Sequence, residues 1–342
     1  MKTFESHLKT IRNKRIAIVY AYRDEDAPGF GHYDYWDMSV VSDWAKASEQ
    51  LGGIPLILDV RTFCQKAMNE TLPIIDIVVN LNAGNQNSST LGLVPSICGF
   101  LSIPCLPSDT TQCVTGEDKS LSNLIARGLS IKVPEELEKN EEGGIYRPKN
   151  LGSSVGVRRG RPASENEGLY QEFISGYDIT TPILYNPISK ILEVLPAILY
   201  VPSENDLNWF LGENEKESRI GYIKKTVEID RTAQEMYLSM ARSFGIKSFC
   251  RIDARLQSTN QNDLEGFLIK PIPWDRIYFL EINTMPTITE GINFCNSLES
   301  VNPTSSMGVA FQEYFDLYPK NSLVSFILAS SILALSSQSQ AL

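Results

Sequence analysis

Apolar positions in the first hundred residues come in short unbroken runs rather than in alternation with polar ones. "RIAIVYAY" (15–22), "IPLILDV" (54–60) and "IIDIVVNLN" (74–82) read as strands covered on both faces, with helical patterns near 39–51, ending at Gly52-Gly53, and over 90–101. That rhythm predicts parallel strands joined by crossover helices. "LSIPCLPSD" closes this unit, and a first boundary is placed near residue 108. "DKSLSNLIARGLSIKVP" (118–134) predicts a helix ended by Gly128. Between "GGIYRPKNLGSSVGV" and "LYQEFISGYDIT" the chain is short-stranded and punctuated by glycine, the pattern of a small subdomain carrying a loop. From residue 179 strands dominate: "ITTPILYN", "ILEVLPAILYV", "SFCRIDARL" and "RIYFLEIN", with a helix near 231–244. The apolar tail "LVSFILASSILAL" (323–335) is too short and serine-rich to span a bilayer and predicts a terminal helix packed on the body. The expected organisation is three units, 1–108, 109–178 and 179–342.

Composition narrows the function classes. The 342 residues are 42% hydrophobic and 21% charged, ordinary for a folded chain, and contain no internal repeat or low-complexity segment. A formal charge of -10 argues against a broad nucleic-acid surface, although a local basic pocket could still hold one nucleotide. The six cysteines form no C-x-x-C pair, and His7 and His32 have no partner at ligand spacing, so no zinc site is expected. With no secretory segment and no evident disulfide framework, the expected compartment is the cytoplasm, with no membrane partner.

Two stretches carry candidate chemistry. In "RPKNLGSSVGVRRG" (147–160), Gly-Ser-Ser-Val-Gly lies between cations, although the chain has neither G-x-x-x-x-G-K-[ST] nor G-x-G-x-x-G after a strand. Small residues there allow the backbone to approach an anion such as phosphate. In "RIDARL", Arg251 and Asp253 are two apart and share a strand face; so do Glu281 and Asn283 in "YFLEINTMP". Burying such groups without partners would cost on the order of several kcal/mol. If the two strands are neighbours, Asp253, Glu281 and Asn283 supply the hard oxygens that Mg²⁺ prefers alongside substrate phosphates. The alternative is a structural salt bridge from Arg251 to one acid, with Asn283 capping a turn before Pro286.

Taken in order, the loop and the two strands resemble the D-alanine–D-alanine ligase-like branch of the ATP-grasp superfamily, over roughly residues 15–300. "GSSVGV" is similar to that family's lid over the ATP phosphates, "RIDARL" to its Arg-x-Asp strand and "FLEINTMP" to its Glu-x-Asn metal strand. The resemblance implies an α/β chain with an ATP-grasp fold preceded by a Rossmann-like parallel-sheet N-terminal domain. It implies ATP and two Mg²⁺ ions, with Mn²⁺ as an alternative, held by Asp253, Glu281 and Asn283. For the nucleotide it implies Lys119, Arg147 (where the family usually has lysine), Gly152, Ser153, Ser154, the hinge Gln171, Glu172, Phe173 and Ile174, Asp178 on the ribose, and Lys216. Arg251, Ser153 and Ser154 would be catalytic. The competing reading for Lys119, Arg147 and Lys216 is solvated surface cations, and for the hinge an edge strand with polar ends.

The implied reaction phosphorylates an acid with ATP and condenses the acylphosphate with the amine of an amino acid. The family often dimerises through its N-terminal domain, so a homodimer is an expectation. Both amino-acid subsites depart from the family pattern. "NLNAGNQNSSTLG" lacks the histidine and acids of the family's His-Gly-x-x-Gly-Glu-Asp-Gly, and Thr287 stands in place of the glycine after Pro286. The expectation drawn from this divergence is a specialised-metabolite amino-acid ligase, such as a mycosporine-like amino acid ligase. The aromatic loop "YRDEDAPGFGHYDYWD" (22–37) would lie against its first substrate. Alternatives are a D-alanine–D-alanine or other dipeptide ligase, a nucleotide-binding protein without catalysis, and a structural α/β protein with internal salt bridges.

Overall fold

A computed structural model describes residues 11–21, 38–82, 90–138, 142–161, 168–218, 220–288 and 323–338. In the first part, β1 (Arg15–Tyr20), β2 (Ile54–Asp59), β3 (Ile77–Leu81) and β4 (Cys105–Leu106) form a sheet in the order β2-β1-β3-β4. Every pairing in it is parallel, as expected, but β2 is an edge strand that leaves Ile54 and Ile57 half exposed, so that apolar run is not covered on both faces. The helices α1 (Met38–Gln50), α2 (Val60–Met68) and α3 (Leu93–Phe100) connect its strands. Of these, α2 was not expected from the sequence. Its start is marked by Asp59, whose carboxylate accepts from Thr62 N at 2.9 Å as an N-cap, a signal masked by the apolar strand running directly into it.

Two consecutive helices, α4 (Thr110–Glu117) and α5 (Lys119–Gly128), follow. Asp118 ends the first and caps the second, its carboxylate accepting from Ser120 N and Leu121 N. A small antiparallel sheet holds β5 (Ile145–Pro148) between β6 (Arg158–Arg159) and β7 (Gly168–Gln171).

The largest sheet runs β11-β10-β8-β12-β13, with β9 also on β8, and is antiparallel throughout. Its strands are β8 (Gly176–Asn186), β9 (Ile191–Val194), β10 (Ala197–Pro202), β11 (Tyr222–Val227), β12 (Phe249–Gln257) and β13 (Ile277–Asn283). The run "ILEVLPAILYV", expected as one strand, is two, broken at Leu195-Pro196, where proline cannot donate to a ladder. Helix α6 (Glu213–Ser218) precedes β11, α7 (Arg231–Ser243) packs beneath the sheet, and α8 (Asp263–Ile269) links β12 to β13.

Alternation then sorts the residues of this sheet. Ile252, Ala254 and Leu256 of β12 and Ile179 and Ile183 of β8 join one buried cluster with Tyr237 and Met240 of α7. Arg251, Asp253 and Arg255 consequently share the other face, with Asp178 and Thr180 of β8. The terminal helix α9 (Leu323–Gln338) is buried on all sides from Val324 to Ile332. It joins α1 and β1 to Leu184, Ile198 and Phe249 in one core, as the apolar tail led us to expect. Among the described residues no helix is long and apolar enough to cross a membrane.

Candidate nucleotide and metal site

The functional face is built from strand register. Asp253 lies opposite Glu281, and Arg251 opposite Asn283, across the β12–β13 pair, with a bulge immediately after Asp253. On the other side Asp253 faces Thr180 of β8, whose hydroxyl donates to its Oδ1. The two carboxylates expected at a metal site therefore sit side by side on neighbouring strands.

Each is held by cations. Arg251 grips Asp253 with two hydrogen bonds, Nε to Oδ1 at 2.7 Å and Nη2 to Oδ2 at 2.6 Å. Glu281 Oε2 lies 3.3 Å from Lys119 Nζ at the start of α5 and 3.3 Å from Arg147 Nη2 on β5. Lys119 and Arg147 are buried, so the reading of them as solvated surface cations fails. Burial alone would raise the Glu281 carboxyl, but Lys119, Arg147, Lys216 and Arg251 together hold it down at about 2. Conversely, burial pushes the Lys119 and Lys216 ammonium groups below their ordinary values in spite of Glu281. In Arg251 burial also opposes the charge, yet the Asp253 partnership outweighs it and the guanidinium is raised.

Four cationic side chains (Lys119, Arg147, Lys216, Arg251) thus gather around the carboxylates of Asp253 and Glu281, with nearby Asp178 already paired to Arg255, so that cationic groups outnumber acidic ones in a largely desolvated place. Such an excess is costly unless an anion neutralises it. Among the described residues no three His, Cys, Asp or Glu side chains group as a metal cage. Asn283 Oδ1 accepts from Met285 N at 3.0 Å, so the turn-capping role considered from the sequence is the one this amide plays here. The donor set accordingly suits Mg²⁺ arriving with polyphosphate, whose oxygens would draw off the cations, and not a bare divalent ion.

The loop expected as a lid is laced to the same place. Lys119 Nζ donates to Leu151 O at 2.5 Å, and Ser154 Oγ donates to Leu211 O at 2.8 Å. Ser153, Ser154 and Gly156 have φ of 48°, 60° and 71°, left-handed values that two serines adopt against their preference. Gly152 O accepts from Val155 N, closing the tight turn.

The hinge residues adjoin it. Gln171 is buried; its Nε2 donates to Pro134 O at 3.0 Å while its Oε1 has no donor. Glu172 is turned elsewhere: its backbone N–H donates to Glu135 O and its carboxylate accepts from Glu135 N. Phe173 lies edge-on to Phe210 at 6.4 Å, with the Arg159 guanidinium 3.7 Å above its ring. Ile174 O and Asp178 Oδ2 are both taken by Arg255, and Leu211 N also donates to Asp178 Oδ2 at 2.7 Å.

Thr180, Phe210, Leu211 and Arg255 were not singled out in the sequence. Strand alternation carried the signal for Arg255, two residues beyond Asp253; the others depend on register and loop packing. The loop 22–37, residues 83–89 and residues 289–322 lie outside the described residues.

No family model matches the chain. In fold it resembles solved D-alanine–D-alanine and D-Ala:D-Ser ligases. It aligns with the D-alanine–D-alanine ligase from Bacillus anthracis, solved in complex with ATP, at a TM-score of 0.60 and 15% identity, over 96% of this chain and 99% of that one. The VanG D-Ala:D-Ser ligase from Enterococcus faecalis gives 0.58 and 15%, over 94% and 100%. In sequence it is similar to D-alanine–D-alanine ligases. The enzyme of that name from Thermotoga maritima is 24% identical over 300 residues, 82% of this chain and 90% of its own. That from Aquifex aeolicus is 25% identical over 222 residues, 58% and 69% respectively.

Proposed function

We propose that this chain is an ATP-dependent carbon–nitrogen ligase of the D-alanine–D-alanine ligase type, joining the carboxyl group of one amino acid to the amine of another with release of ADP and phosphate. The observation that carries the reading is the excess of cationic side chains, two of them buried, over the carboxylates they surround at the β12–β13 face, which calls for a polyanion. A nucleoside slot at the hinge end of the same face is supported by the acceptor of Gln171, which has no donor in the free protein.

In this reading Lys119, Arg147 and Lys216 transfer their charge from Glu281 to phosphate oxygens, which frees Glu281, with Asp253 and Asn283, to hold Mg²⁺. The metal would neutralise the phosphates and polarise the transferring group. The amides of Gly152, Ser153 and Ser154 close over the terminal phosphate and exclude water. Arg251, at the edge of the cluster, meets the negative charge that develops at the acyl centre, so catalysis is positioning and charge stabilisation. Gln171, Phe173, Ile174 and Asp178 form the nucleoside slot, and Glu172 acts through Glu135. The three expected units, with limits near 108 and 178, are retained as a working division, although the second limit falls inside β8.

A second reading, in which the acid is a specialised metabolite, rests on the absence of the family's histidine and acids from residues 80–92 and on Thr287. The named relatives favour the dipeptide reading. A phosphate-release assay decides between them: D-alanine alone, other amino-acid pairs, and amino acids with cyclic acid acceptors, using Asp253→Asn as the blank. Release with D-alanine or an amino-acid pair supports the dipeptide reading; release only with another acid supports the second. No release with any pair contradicts the proposed ligase.

A further inference from the structure

Arg255 is among the most heavily bonded side chains of the molecule, and the reaction outlined above does not use it. It is buried on β12, two residues from Asp253 and on the same face. Its guanidinium donates from Nε to Ile174 O at 2.8 Å and from Nη2 to Gly176 O at 2.8 Å, Trp209 O at 2.5 Å and, longer, Leu207 O at 3.4 Å. Nη1 completes the fork on Asp178 Oδ2 at 2.9 Å. The acceptors come from the hinge that leads into β8 and from the loop after β10, segments about 30 residues apart in the chain whose backbones also meet through Gly176 N to Leu207 O at 2.8 Å. Phe173 lies against the same guanidinium, 5.0 Å from Cζ to ring centroid.

Only a planar fork can reach so many acceptors at once; an ammonium group on a flexible stem cannot. The hinge also needs a backbone without a side chain. Gly176 has φ of 137°, and a Cβ there would stand 2.0 Å from Leu256 O, so the strand bearing Arg255 and the hinge are pressed together.

We propose that Arg255 is a positioning residue for the nucleoside half of the ligand. It fixes the hinge carbonyls, the Phe173 ring and the Asp178 carboxylate relative to the loop 207–211, leaving Asp178 Oδ1 as the oxygen not committed to the clamp. This rests on the nucleotide reading of the site. Arg255 touches neither Glu281 nor the lid, and its one indirect link to the lid runs through Leu211, whose O accepts from Ser154 Oγ; its effect therefore falls chiefly on base and sugar rather than on the phosphates.

The test is calorimetric titration of wild type, Arg255→Met and Arg255→Lys with ATP and, separately, with inorganic tripolyphosphate, both in Mg²⁺. Thermal unfolding of each free protein is followed alongside. In Arg255→Met the affinity for ATP should fall at least about tenfold while that for tripolyphosphate stays within about twofold, since misplacing a binding surface by an ångström is enough for such a loss. Arg255→Lys, which keeps the charge and loses the fork, should shift the ratio the same way. Equal losses for both ligands, or no loss for either, would overturn the proposal, because a merely structural residue cannot separate them. Should Arg255→Met not fold, the ratio in Arg255→Lys decides. If wild type binds tripolyphosphate but not ATP, or binds neither, the nucleotide reading itself fails, a result distinct from any pattern among the variants.

Discussion

Glu281 illustrates how one residue ties the site to the stability of the fold. Its carboxylate answers two buried cations, so Glu281→Gln leaves Lys119 and Arg147 without their counter-charge and should destabilise the free protein by about 3 kcal/mol. Chemical denaturation measures this, and a saturating polyphosphate should restore part of it. The pH dependence has a definite sign. The folded value of about 2 lies below the ordinary 4.5, so the carboxylate's contribution is fully present above 4.5 and is lost as pH falls from there towards 2. Comparing melting temperatures of wild type and Glu281→Gln from pH 6 downwards should show the difference between them shrinking across that interval. The sequence exposed this residue because a lone acid in an apolar strand must be compensated. It did not expose who compensates it, since Lys119 and Arg147 arrive from two other elements.

At the scale of elements, the Arg-x-Asp and Glu-x-Asn patterns were legible because a strand's period of two fixes which residues share a face. That the two faces coincide depends on β12 and β13 pairing with Asp253 opposite Glu281, a register no local pattern states. Helix α2 was lost because its capping aspartate also ends a strand, and β9 and β10 were merged because the apolar run continues across Pro196. The terminal helix was legible from composition alone: residues apolar on all sides must be covered on all sides. Phe326, which is 1% exposed, should therefore cost about 3–5 kcal/mol on truncation to alanine, seen as a lowered midpoint in denaturant. The lid makes the opposite kind of prediction. Gly156 is left-handed, and a Cβ there would sit 3.0 Å from Pro148 Cγ, so Gly156→Ala should cost on the order of 1 kcal/mol in denaturant unfolding, whereas Ser153→Gly should be neutral or stabilising.

The whole molecule carries -10, yet its central face concentrates positive charge. Nucleic acid was set aside on the total, and the local excess, invisible in a sum over the chain, is what calls for a small polyanion. The arrangement also orders the ligands: with Arg251 on Asp253 and Lys119 and Arg147 on Glu281, Mg²⁺ alone has no vacant carboxylate to take. The most direct measurement is thermal unfolding with Mg²⁺ alone, with ATP alone and with both. The proposed site predicts no stabilisation by Mg²⁺ alone, and with both ligands at 100 times the dissociation constant a gain of about 2.7 kcal/mol that disappears in Asp253→Asn. Stabilisation by Mg²⁺ in the absence of nucleotide, or an unfolding curve indifferent to Mg-ATP, would contradict it.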